Sequence, residues 1–180
     1  MDIAERFVAR SRHYLSYEYP AKIQHCLDAL PADAVWRRAN ERSNSVGNLL
    51  LHLSGNVRQW MVCGVGGAPD HRHRDAEFAA TEGADAKTLM SGLRQTLRET
   101  DVVLSGLNTE MLGESRTIQG RTVTVLDAVY HVVEHFSTHT GQIILLTKLA
   151  AVGSIAFYED AGGLAVPIWE RPHRHTDHSL

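Results

Sequence analysis

Three histidines, His131, His135 and His139, recur at every fourth residue of one stretch of the chain. In a helix a step of four residues turns each side chain only about 40° from the last and lifts it about 6 Å, so the three stand in a row on one face. Two imidazoles at that spacing can converge on one cation. Three on a straight helix cannot share an ion well, because the outer two are about 12 Å apart at the backbone. A further ligand must come from elsewhere, and His52 is the candidate, since it lies between Leu51 and Leu53 in a strongly apolar stretch. On a helix Asn48 and Asn56 project within about 40° of His52 and Leu49 within about 60°, which makes a polar spot on an apolar helix. Around His135 stand Ala128, Val132 and Gln142, so both faces can line one cavity.

A lone histidine on an apolar helix face is more often a hydrogen-bonded core residue than a ligand. A His-x-x-x-His pair shifts that balance, because burying two polar rings without a common partner is costly. The zinc-protease pattern His-Glu-x-x-His is absent, as Phe136 follows His135. His71-Arg72-His73 and the group His173, His175 and His178 lie in polar loop sequence, where solvated side chains are expected.

Four stretches of helical period must position these residues, and strand alternation is scarce. The first runs from about Ile3 to Leu30, interrupted by Pro20 and ended by Pro31. The second starts in the cap-rich cluster Ser43 to Ser45 and runs through Leu49, Leu53, Val57 and Trp60 to the glycines at 64, 66 and 67. The third carries the amphipathic stripe Ala86, Leu89, Met90, Leu93, Leu97, Leu104 and Leu107. The fourth opens with Thr124-x-x-Asp127, the form of a capping box, and continues to Ala151. About twenty residues rich in Gly, Asp, His and Arg separate the second and third, longer than the loops that join antiparallel neighbours. The expected fold is all-α, a four-helix bundle with a long crossover between helices two and three. Ile118-Gln119-Gly120-Arg121 is expected to form a small hairpin before the last helix. Residues 1–152 are expected to make the bundle, and 153–180 a loop and tail that pack on it or extend from it.

The chain is 180 residues long, 43% hydrophobic and 22% charged, ordinary globular composition for one domain. A chain of this size folds without metal or disulfides, so a bound metal would be functional. Eighteen Lys and Arg are scattered among 21 acids for a net charge of -3, which argues against nucleic acid as a partner. No run of apolar residues is long enough to span a membrane, and Met1-Asp2-Ile3-Ala4-Glu5 is acidic where a signal peptide is basic. The expectation is a soluble, cytoplasmic protein without a membrane partner. Cys26 and Cys63 are read as reduced packing residues.

Two segments carry a resemblance. Leu50-Leu51-His52-Leu53-Ser54-Gly55-Asn56-Val57-Arg58-Gln59-Trp60 and His131-Val132-Val133-Glu134-His135-Phe136-Ser137-Thr138-His139-Thr140-Gly141-Gln142-Ile143 resemble the DinB-like superfamily, also called the YfiT-like metalloenzymes, which is unrelated to the DNA polymerase of similar name. The resemblance spans about Leu15 to Ala151, takes in Trp36, the helix start Asn44 to Asn48 and the segment Asp75-Ala76-Glu77-Phe78, and is closest to an uncharacterised subgroup. It implies a divalent metal, zinc or nickel, on His52, His135 and His139, with His131 left as a neighbouring or core histidine. It also implies two chemistries, thiol-dependent S-transfer to electrophiles and metal-dependent hydrolysis, and an association into dimers.

Three neutral imidazoles leave a divalent ion its full charge and open positions, the arrangement of catalytic zinc. Such an ion brings the pKa of a bound water to about 7 and deprotonates a thiol outright. A general base is not evident, since Glu134 projects about 100° from His135 and no other acid falls on the triad's face of either helix. That favours activation of a low-molecular-weight thiol, with Asn48, Asn56 and Gln142 orienting the thiol or its small-molecule acceptor. The same amides can instead satisfy helix ends or one another. The competing classes are a hydrolase, a non-catalytic metal-binding or stress-response protein, and a bundle with no metal role.

The fourth helix is apolar on two sides. Ala128, Val132, Gln142, Ile143 and Leu146 group with His135, whereas Leu126, Tyr130, Val133 and Ile144 lie opposite, and Asp127, Glu134, Gly141 and Lys148 are left for water. A helix apolar on two sides is covered twice. Helices one and three should cover part of the second face and a second copy of the chain the rest, giving a homodimer.

Overall fold

The computed structural model describes residues 2–151, 153 and 155–169. The first bundle helix is α1 (Ile3–His13), a π-helical segment Tyr14–Glu18 and α2 (Tyr19–Ala29). Pro20, which carries no N–H, sits in the first turn of α2, and the wider turn just before it lets the rod continue where a break was expected. The second bundle helix is α3 (Val46–Val57), prolonged by the π-helical segment Arg58–Val65. Its start is a capping box in which Ser45 and Asn48 bond reciprocally. The crossover carries a short helix, α4 (Arg74–Ala79), before the third bundle helix, α5 (Ala86–Ser105). After α6 (Thr109–Leu112) comes a hairpin of β1 (Ser115–Ile118) and β2 (Arg121–Thr124), paired Ile118 to Arg121 across Gln119 and Gly120. Both turn residues have positive φ, 53° and 73°, the geometry of a tight two-residue hairpin. The fourth bundle helix, α7 (Val125–Ala150), opens on the capping box of Thr124 and Asp127.

Helix α3 packs on α5 and α7, and α2 on α7, while α4 lies against α3. Leu15, Ile23, Leu49, Leu50, Leu53, Met61, Leu93, Leu104, Phe136 and Ile143 are fully buried between the rods. The fold is all-α in its framework, as the periodicity predicts. No helix among the described residues is long and apolar enough to cross a membrane.

Two expectations are corrected. The segment after Gly153 is not only loop: β3 (Tyr158–Ala161) and β4 (Leu164–Pro167) pair across Gly162 and Gly163. Phe157 and Trp169 bury against the bundle beside them, and His25 Nε2 bonds the Ala156 carbonyl at 2.8 Å. On α7, Gln142 is exposed, whereas Val133 and Ile144, expected on the far side, are half-buried and pack against the core as Leu146 does. Leu126, Tyr130, Leu145 and Leu149 remain 43%, 63%, 57% and 73% exposed.

Candidate metal centre

His52 projects from the middle of α3 toward α7 and is 4% exposed. Its Nε2 lies 3.1 Å from His135 Nε2, which in turn lies 3.1 Å from His139 Nε2. One ring nitrogen from each of the three lies within 4.8 Å of the others. Two nitrogens bound to one tetrahedral zinc ion at about 2.05 Å stand about 3.3 Å apart, so the spacing suits a shared ion. The rest of the chain prepares two of the lone pairs. Glu77, from α4, places Oε2 2.9 Å from His52 Nδ1, and Arg72 clamps the same carboxylate through Nε at 2.7 Å and Nη2 at 2.8 Å.

Burial alone would raise the Glu77 carboxyl, but the hydrogen bonds from Arg72 and His52 outweigh it and hold the group below its usual range. An ionised carboxylate only accepts, so Nδ1 of a neutral His52 carries the proton and Nε2 keeps its lone pair. Arg72 Nη2, 3.1 Å from that Nδ1, is a second donor to the same oxygen. Gln142 Oε1 accepts from His139 Nδ1 at 2.7 Å, which likewise frees His139 Nε2. His135 Nδ1 is buried without a partner among the described residues. Burial and the neighbouring rings push the His135 imidazole down to about 3, and burial lowers His139 and His131 as well, so the rings are held neutral, the form that ligates. This donor set fits a divalent metal ion.

The candidate amides divide. Asn48 is fully engaged: its Oδ1 accepts from Ser45 N and Oγ at 3.0 and 2.8 Å, and its Nδ2 donates to the carbonyls of Glu77 and Ala80 at 2.8 and 2.7 Å. It fastens the strand of chain that carries Glu77 and has no atom left to orient a ligand. Asn56 is buried with Oδ1 unpartnered, and Gln142 holds His139. His131 stacks on Trp60 with ring centroids 4.1 Å apart and stays outside the triad. Phe78 of α4 covers His52 at 4.6 Å.

Arg72 corrects the reading of its segment as solvated, since its side chain is 4% exposed, whereas His71 and His73 are exposed. His173, His175 and His178 lie outside the described residues. Cys26 is buried, its thiol pushed up to about 11 by desolvation, and Cys63 donates to the Pro69 carbonyl at 3.2 Å. Sequence reasoning missed Glu77 and Arg72 as parts of the site. The only signal was a glutamate beside a phenylalanine in an otherwise polar crossover.

The fold is shared with solved structures of low sequence identity. A DinB-like protein from Bacillus cereus aligns with a TM-score of 0.59 at 19% identity, covering 78% of this chain and 93% of its own. A DinB-like protein from Bacillus subtilis aligns at 0.61 and 19%, covering 86% and 97%. A conserved protein from Enterococcus faecalis aligns at 0.66 and 15%, covering 83% and 98%. At these identities the likeness concerns the fold. No curated protein matches the chain. A family model described as "Protein of unknown function (DUF1572)" matches residues 2–155, and the chain, DinB-like in fold, belongs to that family.

Proposed function

We propose that the protein binds a divalent metal ion, zinc or nickel, through His52, His135 and His139, and uses it to transfer a low-molecular-weight thiol to a small electrophile. The observation that carries the metal reading is the convergence of three Nε2 atoms, two of them with the opposite nitrogen tied to Glu77 and Gln142. Fixing that second nitrogen sets the tautomer and the ring orientation of a metal-ligating histidine. When bound, such an ion lowers the pKa of a coordinated thiol or water to neutrality or below.

The chain's own residues bear on which of the two is activated. Glu77 is consumed by Arg72 and His52, and Glu134 is exposed and accepts from Thr138, so neither is a free general base. A metal-bound thiol releases its proton to solvent outright, whereas a metal-bound water with a pKa of about 7 is only partly ionised and gains from a base, which favours the thiol reading over the hydrolase. Phe78 and the rings of the triad keep water from one side of His52.

The proposal includes a homodimer built on the exposed strip of α7. Metal analysis of tag-free protein against His135→Ala tests the first step: about one equivalent in the wild type and near none in the variant is expected. Loss of thiol turnover with 1-chloro-2,4-dinitrobenzene on chelation tests the second. A metal-free protein that turns over at the wild-type rate would overturn it.

A further inference from the structure

Asn56 stands one turn after His52 and one turn before Trp60, and it is 4% exposed with an Oδ1 that has no hydrogen-bond partner among the described residues. Across the groove, His135 Nδ1 is buried in the same condition. The two helices run antiparallel here, because His52 meets His135 and His139 while Trp60 stacks on His131. Asn56, midway between His52 and Trp60, is therefore level with the turn that separates His131 from His135. An amide carbonyl can only accept. With an ion on the three Nε2 atoms, His135 has its proton on Nδ1 and can only donate there. The unpartnered acceptor and the unpartnered donor are complementary and share one level of the bundle.

We propose that Asn56 is the positioning residue for His135, its side-chain carbonyl taking the Nδ1 proton of His135 across one internal water. Two further buried atoms, Trp60 Nε1 and His131 Nε2, likewise lack a partner among the described residues and stand at the neighbouring level, where His131 stacks on Trp60. A buried water typically makes about three hydrogen bonds to groups otherwise unsatisfied. The assignment rests on the three-histidine metal reading and extends it: each ligand then has a dedicated holder, Glu77 for His52, Gln142 for His139 and Asn56 for His135. Asn56 thus acts through a histidine and does not touch the reacting molecules.

The test uses full-length protein, zinc as the probe, and Asn56→Leu and Asn56→Asp beside the wild type. Zinc affinity is read by competition with a chromophoric chelator, and the imidazole Nδ1 protons by 1H–15N NMR of zinc-loaded protein. Asn56→Leu should weaken zinc about 10–100-fold, shift the His135 Nδ1–H resonance and speed its exchange with solvent, leaving His52 and His139 unchanged. Asn56→Asp, still an acceptor, should restore both readouts. Should Asn56→Asp fail to fold, the wild type still decides, through a slowly exchanging Nδ1 proton on His135. A wild-type Nδ1–H signal and wild-type affinity in Asn56→Leu would overturn the proposal. A wild type that does not bind zinc would overturn the metal reading and this assignment with it, whereas zinc binding indifferent to Asn56 would overturn the assignment alone.

Discussion

Glu77 Oε2 lies 2.9 Å from His52 Nδ1, although Glu77 belongs to the crossover and His52 to the core-facing side of α3. A helix-borne histidine is thus aimed by an element that shares no periodicity with it. Arg72 makes this arrangement sustainable, since a carboxylate so buried needs a cation to stay ionised.

Glu77→Gln should therefore weaken metal more than it weakens the fold. The amide keeps the shape but can point its NH2 at His52 and free the wrong tautomer. A loss of about 10–100-fold in zinc affinity is expected, the usual cost of removing such a partner, with the helical circular dichroism unchanged. Zinc affinity within a factor of two of the wild type would show that Glu77 does not orient His52.

Gly55 offers a second handle on the same contact. A Cβ there would meet Glu77 Oε1 at 2.0 Å and Arg72 Nε at 2.9 Å, so the clamp has room only because position 55 carries no side chain. The helix itself prefers alanine to glycine by about 1 kcal/mol, and a loss of metal affinity in Gly55→Ala would come from the displaced carboxylate. Isothermal titration with zinc should show the loss. Undiminished binding would mean that the pair can shift without disturbing His52.

These relationships explain what the sequence could and could not disclose. The four rods were legible because Leu, Val and Phe recur at helical spacing, and the triad because His52, His135 and His139 interrupt apolar faces. The capping box of Thr124 and Asp127, the cap-rich start at Ser43 to Ser45 and the Gln119-Gly120 turn were equally readable from local chemistry. Glu77 and Arg72 were not, because a six-residue helix in a polar crossover has too little periodicity to show which side is buried. Gln142 was placed on the core side by its angle, yet it is exposed and its long side chain reaches back to His139. The second hairpin was hidden because β3 is exposed along its length, so no alternation marks it.

Acid should destabilise the metal-free protein. Burial and the rings of His139 and His52 push His135 down to about 3, far below the ordinary histidine, and His139 and His131 move the same way. Between about pH 6.5 and 3 the unfolded chain takes up protons that the folded site refuses, so this stability is complete above about pH 6.5 and is lost as the pH falls. One such group gives a slope of at most about 1.4 kcal/mol per pH unit. Urea unfolding from pH 7.5 to 5 should show declining stability, and the decline should be shallower in His135→Leu. Stability that is flat over this range, or equally steep in the variant, would contradict neutral burial of the ring.

The exposed side of α7 tests the proposed assembly. Leu126 and Tyr130 near its start and Leu145 and Leu149 near its end remain open to solvent, while Ser137 and Gly141 leave the middle of the helix flat. Two such helices crossing at their small residues would bury the four large ones, and a two-fold axis through the crossing makes the patch its own complement. Val133 and Ile144 already pack against the core, so changing them would confuse assembly with folding. Tyr130→Glu with Leu145→Glu changes exposed positions only. Light scattering at micromolar concentration should report twice the 20.0 kDa chain mass for the wild type and the chain mass for the double variant, with the thermal midpoint of the His-site-bound and free forms little changed. A monomeric wild type, or a double variant that still pairs, would place any partner on another face.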